Sequence, residues 1–211
     1  MKSNYLIINN EKGISLPEML IVTIILGLLG ILAYTQFGNG SDSVKAKTTF
    51  DAAQKIASTW SLLTQLTGTA LSTTSSSMVA SGNTALDVVM VGNNPNGIIV
   101  PAYQSTYTMS GLDPLSSIST IVSTPTLGQS GSYTINNYPV TLTSGKTSDG
   151  QSVLNVSFTG VQSTVVNAIY SDHNNKATYP FVATTPVLSG LVQYTAVAAD
   201  DRMTLTLSFV Q

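Results

Sequence analysis

The chain has 211 residues, a formal net charge of −2, no cysteine, and only 9% Asp, Glu, Lys and Arg, against about 25% in an ordinary soluble domain. That length allows one domain of usual size plus an amino-terminal segment. The absence of cysteine excludes disulfides and thiolate metal or redox chemistry, and the balanced charge excludes strong attraction to nucleic acid or anionic lipid.

Residues 1–13 form a short polar leader that ends at Gly13 and contains Lys2 and Lys12. An apolar run follows. Between Met19 and Leu32 only Thr23 is neither apolar nor Gly. The stretch from Ile14 to Tyr34 is long enough for a helix to cross roughly 30 Å of hydrocarbon. No basic residue recurs before Lys45, which predicts a cytoplasmic amino end. A conventional signal peptide is cut after its apolar core, but here Gly13 precedes the core, and Ile31-Leu32-Ala33-Tyr34-Thr35 is a poor cleavage site. An uncleaved signal anchor fits the apolar run taken alone.

Within that run Ser15-Leu16-Pro17-Glu18 matches the S-x-x-E capping box, with Pro tolerated in a first turn whose N–H groups lack partners. Glu18 therefore reads as a helix cap. A carboxylate in a bilayer is nevertheless costly, by a few kcal/mol at the centre, so it also reads as a residue kept for a partner. Gly27 and Gly30 allow close helix packing without forming GxxxG.

The residues Gly13-Ile14-Ser15-Leu16-Pro17-Glu18-Met19-Leu20-Ile21-Val22 resemble the class III leader and first turns of type IV pilins. The resemblance implies that a prepilin peptidase cuts after Gly13 and methylates Ile14. It further implies that Glu18, at the fifth mature position, pairs with the amino terminus of a neighbouring subunit during assembly. Cleavage leaves six basic and nine acidic residues, a charge of −3. Pro17 stands where Leu or Ile is common. Ile14 replaces the Phe typical of type IVa pilins, which with the 13-residue leader points towards the type IVb group.

Beyond the apolar run, Gly38-Asn39-Gly40 marks a break or bend, with Ser41 or Asp42 able to cap a new helix. Residues 42–66 read as an amphipathic helix, with Phe50, Ala53, Ile56, Ala57, Trp60, Leu63 and Leu66 on one face. Trp60 is the expected core anchor. Residues 67–83 are crowded with small polar side chains and read as a surface connector. A short helix is expected over 102–109, then a turn at Gly111-Leu112-Asp113-Pro114.

The last third reads as β. Tyr133-Thr134-Ile135 and residues 138–143 flank Asn136-Asn137, a two-residue hairpin turn. Residues 151–159 alternate, with Leu154, Val156 and Phe158 inward. Residues 160–170 carry apolar side chains at helical spacing and predict a short helix. The closing hairpin runs from 193–198 through Ala199-Asp200-Asp201-Arg202 into a strand with Met203, Leu205, Leu207 and Phe209 inward.

The expected class is α+β: a long N-terminal α-helix packed on an antiparallel β-sheet head domain, which is also the pilin fold. Its parts are the leader (1–13), a transmembrane and assembly helix (14–37), the amphipathic second half of that helix (38–66) and the globular head (67–211). The segment order is similar to type IVb pilins, including those of conjugative plasmids, although these usually carry a disulfide near the carboxyl end and this chain has none.

No catalytic set is expected. The lone His173, beside Asp172, reads as a solvated loop residue, since one His without Cys cannot build a usual zinc site. Asp172 with Asn174, and Asp149 beside Gly150, lack EF-hand spacing. Gly128-Gln129-Ser130-Gly131 is not a nucleophile elbow. Lys45, Lys47, Lys55, Lys146, Lys176 and Arg202 are too scattered for a nucleic-acid track. The sequon Asn155-Val156-Ser157 falls within a predicted strand. No cofactor and no metal are expected.

The pilin resemblance implies other pilin subunits, the prepilin peptidase, the inner-membrane assembly machinery and the inner membrane as partners. It implies a single-pass inner-membrane protein before assembly and an extracellular pilus subunit afterwards. A minor pilin or a type II secretion pseudopilin would share the leader. Outside the family, a membrane-anchored adhesin or binding module fits the anchor.

Overall fold

The computed structural model describes residues 16–94, 97–174, 186–196 and 198–211, with side chains from Ser41 onward except that of Asn174. The leader, Gly13 and Ile14 lie outside the described residues, as do the side chains of Glu18 and of the apolar run to Tyr34. The chain divides into two compact units, 1–41 and 42–211. Helix α1 is assigned Leu16–Thr67. Gly38-Asn39-Gly40 is helical, each Gly there costing only about 1 kcal/mol relative to Ala. Among the described residues, no helix is long and apolar enough to cross a membrane.

The second unit is an α+β domain. It contains α2 (Ala85–Val91), α3 (Pro101–Ser110), a 3-10 turn (Leu115–Ser117) and α4 (Ser163–Asn174). Its strands are β1 (Thr120–Ser123), β2 (Ser132–Ile135), β3 (Tyr138–Lys146), β4 (Ser152–Gln162), β5 (Val192–Tyr194) and β6 (Arg202–Val210). They form one antiparallel sheet in the order β1-β2-β3-β4-β6-β5.

The core lies between one face of this sheet and the helices. From α1 it takes Ala53, Ile56, Ala57, Trp60 and Leu63; from the sheet it takes Val140, Leu142, Leu154, Val156, Phe158, Leu205 and Leu207. Ile56 and Leu63 are almost completely buried, which stabilises by about 1.5–3 kcal/mol each. Trp60 anchors the helix as expected: it is fully buried and its Nε1 donates to the Leu71 carbonyl at 3.1 Å.

The β2–β3 hairpin forms through Asn136 and Asn137, at φ 52° and 67°, the left-handed pair that a two-residue turn needs. The alternation expected in β4 and β6 is present over most of each strand, with Leu154, Val156, Phe158, Met203, Leu205 and Leu207 buried, but it breaks where the strands pair near their ends: Val153 and Ser208 are buried as well, and Phe209, expected inward, is only half-buried.

Several expectations need correction. Leu66 is 49% exposed rather than in the core, because α1 ends one residue later. The connector over 67–83 is not wholly at the surface: Thr73, Ser76, Met78 and Asn83 are buried. Residues 160–162 continue β4, with Val161 opposite Met203, and the helix begins only at Ser163. A register shift between Phe158 and Val161, with Gly160 at φ 72°, absorbs the extra residue as a bulge. Two elements, α2 and β1, have no counterpart in the pattern analysis.

Candidate functional site

The residues that the leader motif singles out come first. Gly13 and Ile14, the predicted cleavage and methylation pair, lie outside the described residues. Glu18 falls inside the helical span of α1, with its side chain undescribed.

In the second unit the carboxyl-terminal part of α1 is pinned to the sheet by a polar clamp. Asn136 Nδ2 donates to Thr48 Oγ1 at 2.8 Å and Thr49 Oγ1 at 2.9 Å, with the Lys45 carbonyl at 3.4 Å. The hairpin geometry that demands a left-handed residue thus also places an amide donor against the helix. Asn136→Ala loses these bonds and strains the turn, and should destabilise by about 2 kcal/mol. Asn137→Gly should stay within about 0.5 kcal/mol, because Gly suits the same backbone. Urea melts of the detergent-solubilised chain measure both.

A second polar centre lies inside the domain. Asp87, fully buried in α2, accepts four hydrogen bonds. Its Oδ1 receives the Gly131 N–H at 2.9 Å and the Tyr133 hydroxyl at 2.7 Å; its Oδ2 receives the Thr84 N–H at 2.8 Å and Thr84 Oγ1 at 2.9 Å. Burial, then the bond to Asp87, pushes the Tyr133 phenol well above its ordinary range.

Nearby, Asn83 donates to the carbonyls of Thr126 and Gln129 and accepts from the Gly128 N–H. Gly82 is required there, because a Cβ would collide with the Gly128 backbone. Asp87 is fully buried and takes these bonds from Thr84, Gly131 and Tyr133, so its arrangement is that of an internal brace.

His173 is exposed as expected, but it lies in a helix and not in a loop. It occupies the last turn of α4, its Nδ1 3.0 Å from the Ile169 carbonyl and its ring stacked on Phe50 at 3.6 Å between centroids. The ring packs as an aromatic side chain. Among the described residues no group of three or more His, Cys, Asp or Glu could hold a metal. The sequon residue Asn155 sits within β4, its Oδ1 accepting from Ser208 Oγ at 2.7 Å, which holds the amide against the sheet. Lys45 is half-buried, while Lys47 and Lys55 are exposed.

Two surface depressions flank α1. An open groove of about 1110 Å³ is bounded by Gln54, Ser61 and Gln65 of α1, the β3–β4 turn, residues 188–191 and the end of β6. A shallower one of about 720 Å³ lies beside Asp51, Lys55 and Ile118. Val44, Leu62 and Leu66 are exposed on the same helix. The first depression also holds Lys146 and Asp149, so both combine charged with neutral side chains.

No known family profile matches the chain, and comparison with curated proteins and with solved structures finds no match.

Proposed function

We propose that this chain is a type IV pilin-like prepilin, cut after Gly13, N-methylated at Ile14 and polymerised through its amino-terminal helix into a filament. The observation that carries the reading is the motif Gly13-Ile14-Ser15-Leu16-Pro17-Glu18 placed immediately before an apolar run that reaches Tyr34. In an ordinary anchor a carboxylate there serves only as a helix cap, at a cost of a few kcal/mol in lipid. In the proposed polymer Glu18 meets the ammonium of a neighbour's Ile14, since each buried charge needs the opposite one and the pair sets the register between helices.

The subunit waits in the inner membrane as a single-pass protein, and its helix then leaves lipid for a bundle of like helices. Contacts of this kind are head-to-tail and do not close, as a filament requires. The α+β head supports the reading, because α1 residues share one core with an antiparallel sheet. Low charge supports it too, leaving little repulsion between copies.

The test is amino-terminal mass spectrometry of the protein recovered from the cell surface. N-methylated Ile14 is the expected terminus. An intact Met1 leader would overturn the proposal.

A further inference from the structure

Along the outer face of α1, Val44, Thr48, Asp51, Lys55, Ser58 and Leu62 follow one another at alternating steps of four and three residues. That spacing keeps side chains on one stripe of a helix. All six lie in the second unit and all six are exposed, Val44 at 63% and Leu62 at 41%. The opposite stripe, through Ala53, Ile56 and Trp60, is the one that enters the core. The outer stripe therefore holds two large aliphatic side chains in water that the core of the domain does not use.

The two charges on the stripe are equally unspent. Asp51 and Lys55 stand four residues apart, the spacing of an ordinary ion pair within a helix. Among the described residues, however, neither makes an ion pair. Both line the depression of about 720 Å³ beside Ile118, which leaves space above them for the side chains of another molecule.

The order of the six residues selects the occupant. Laid antiparallel on itself, with a two-fold axis at the level of Ala53, the stripe sets Val44 against Leu62, Thr48 against Ser58 and Asp51 against Lys55. Each layer then matches in kind: aliphatic on aliphatic, hydroxyl on hydroxyl, carboxylate on ammonium. Sliding the copy by one heptad sets Lys55 against Val44 or Asp51 against Leu62, which strips water from a charge without pairing it. Running the copies parallel and in register sets Asp51 against Asp51 and Lys55 against Lys55, and like charges repel. One partner and one register satisfy the whole stripe.

We propose that two copies of this chain pair antiparallel through the outer face of α1. Val44 and Leu62 cover apolar surface at both ends of the seam, and the two central Asp51–Lys55 pairs fix register and orientation. The contact is isologous and closes on two subunits. It differs in this from the head-to-tail contacts of the proposed filament, and it does not rest on that reading. The seam from 44 to 62 is about 27 Å long, short for a permanent interface, so a dissociation constant of about 10–100 μM is expected.

The experiment is sedimentation equilibrium of the full chain in density-matched detergent, where a monomer–dimer equilibrium in that range is expected. Asp51→Lys and Lys55→Asp should each weaken the dimer about tenfold, by removing both ion pairs and setting like charges together. The double variant exchanges the two signs and should return to near the wild-type constant. Both positions are exposed, so the variants retain the fold, which circular dichroism checks. Orientation is read by cross-linking, because the chain has no cysteine of its own. A mixture of Val44→Cys and Leu62→Cys chains, oxidised with diamide, should give a disulfide-linked pair containing one of each. Either variant alone should stay unlinked, since its two thiols lie about 27 Å apart along the antiparallel pair. Linking of each variant with itself would show a parallel pair, such as the apolar amino-terminal segments would form in one micelle, and would overturn the proposal. A chain that stays monomeric well above the expected range overturns it too, as does a dimer that the charge variants leave unchanged. None of these outcomes alters the terminus found by mass spectrometry, on which the pilin proposal depends.

Discussion

Glu18→Ala is expected to leave the subunit inserted in the membrane and to remove it from filaments. Removing a carboxylate from an apolar helix lowers the cost of insertion, by about 2.5–3.5 kcal/mol if it lies near the bilayer centre, so the membrane pool should be undiminished. Assembly behaves in the opposite way. In the proposed bundle the Ile14 ammonium of a neighbour would lose its counter-charge, and breaking a buried pair by deleting one partner costs about 3–5 kcal/mol. That corresponds to a drop of two decades or more in the equilibrium for adding a subunit. Immunoblots of sheared surface filaments and of washed membranes separate the two pools. Normal filament yield from Glu18→Ala would end the assembly role given to this residue, and Glu18→Gln should fail as Ala does, because size without charge does not restore the pair.

The largest effect on stability is expected at Asp87. Deleting its carboxylate leaves the Gly131 and Thr84 N–H groups, the Tyr133 hydroxyl and Thr84 Oγ1 without their acceptor. Orphaned donors around a fully buried site cost about 1–3 kcal/mol each, and partial relaxation should hold the total for Asp87→Ala near 4 kcal/mol. Asp87→Asn keeps the volume but turns an amide NH₂ towards two of the donors, so a loss of about 2 kcal/mol is expected.

The same centre sets an alkaline limit. Tyr133 holds its proton more tightly in the fold than in the unfolded chain, through burial first and the bond to Asp87 second. Its contribution is therefore fully present below the ordinary phenol value of about 10 and is lost as pH rises through and beyond it. Tyr107, Tyr138 and Tyr194 are raised in the same direction, chiefly by burial. Melts of the wild type should thus lose stability above about pH 10, and Tyr133→Phe should flatten part of that slope while costing stability at neutral pH. An unchanged alkaline slope in Tyr133→Phe would contradict the assignment.

Legibility in the sequence followed how strongly one local rule dominated each segment. The Asn136-Asn137 turn and the alternation of β6 were readable, because a two-residue left-handed turn and a half-buried strand leave little else for those residues to do. Helix α2 was not. In Ala85-Leu86-Asp87-Val88-Val89-Met90 every residue is buried, Asp87 included, so no polar face marks a period of 3.6.

Strand β1 fails for the opposite reason, being four residues long and exposed throughout, with no inward side to betray it. Gly160 was misread because Val161 and Val165 fit helical spacing as well as a bulged strand end. The polar brace was invisible, since Asp87 meets Gly131 and Tyr133 only after more than forty intervening residues have folded. The proposed assembly motif needs no fold to be stated, because adjacent residues within Gly13 to Glu18 carry all of it.

Asn83 and Asp87 together fasten the start of α2 to residues 126–133, closing a loop that many exported domains would hold with a disulfide. A carboxylate and an amide make this staple without an oxidant. Folding of the α+β domain therefore requires no thiol oxidase or isomerase, proceeds equally in a reducing or an oxidising compartment, and can be undone and remade without a covalent trap. Reductant should leave the melting temperature of the protein unchanged, and strains lacking disulfide-forming enzymes should fold it to the same native form.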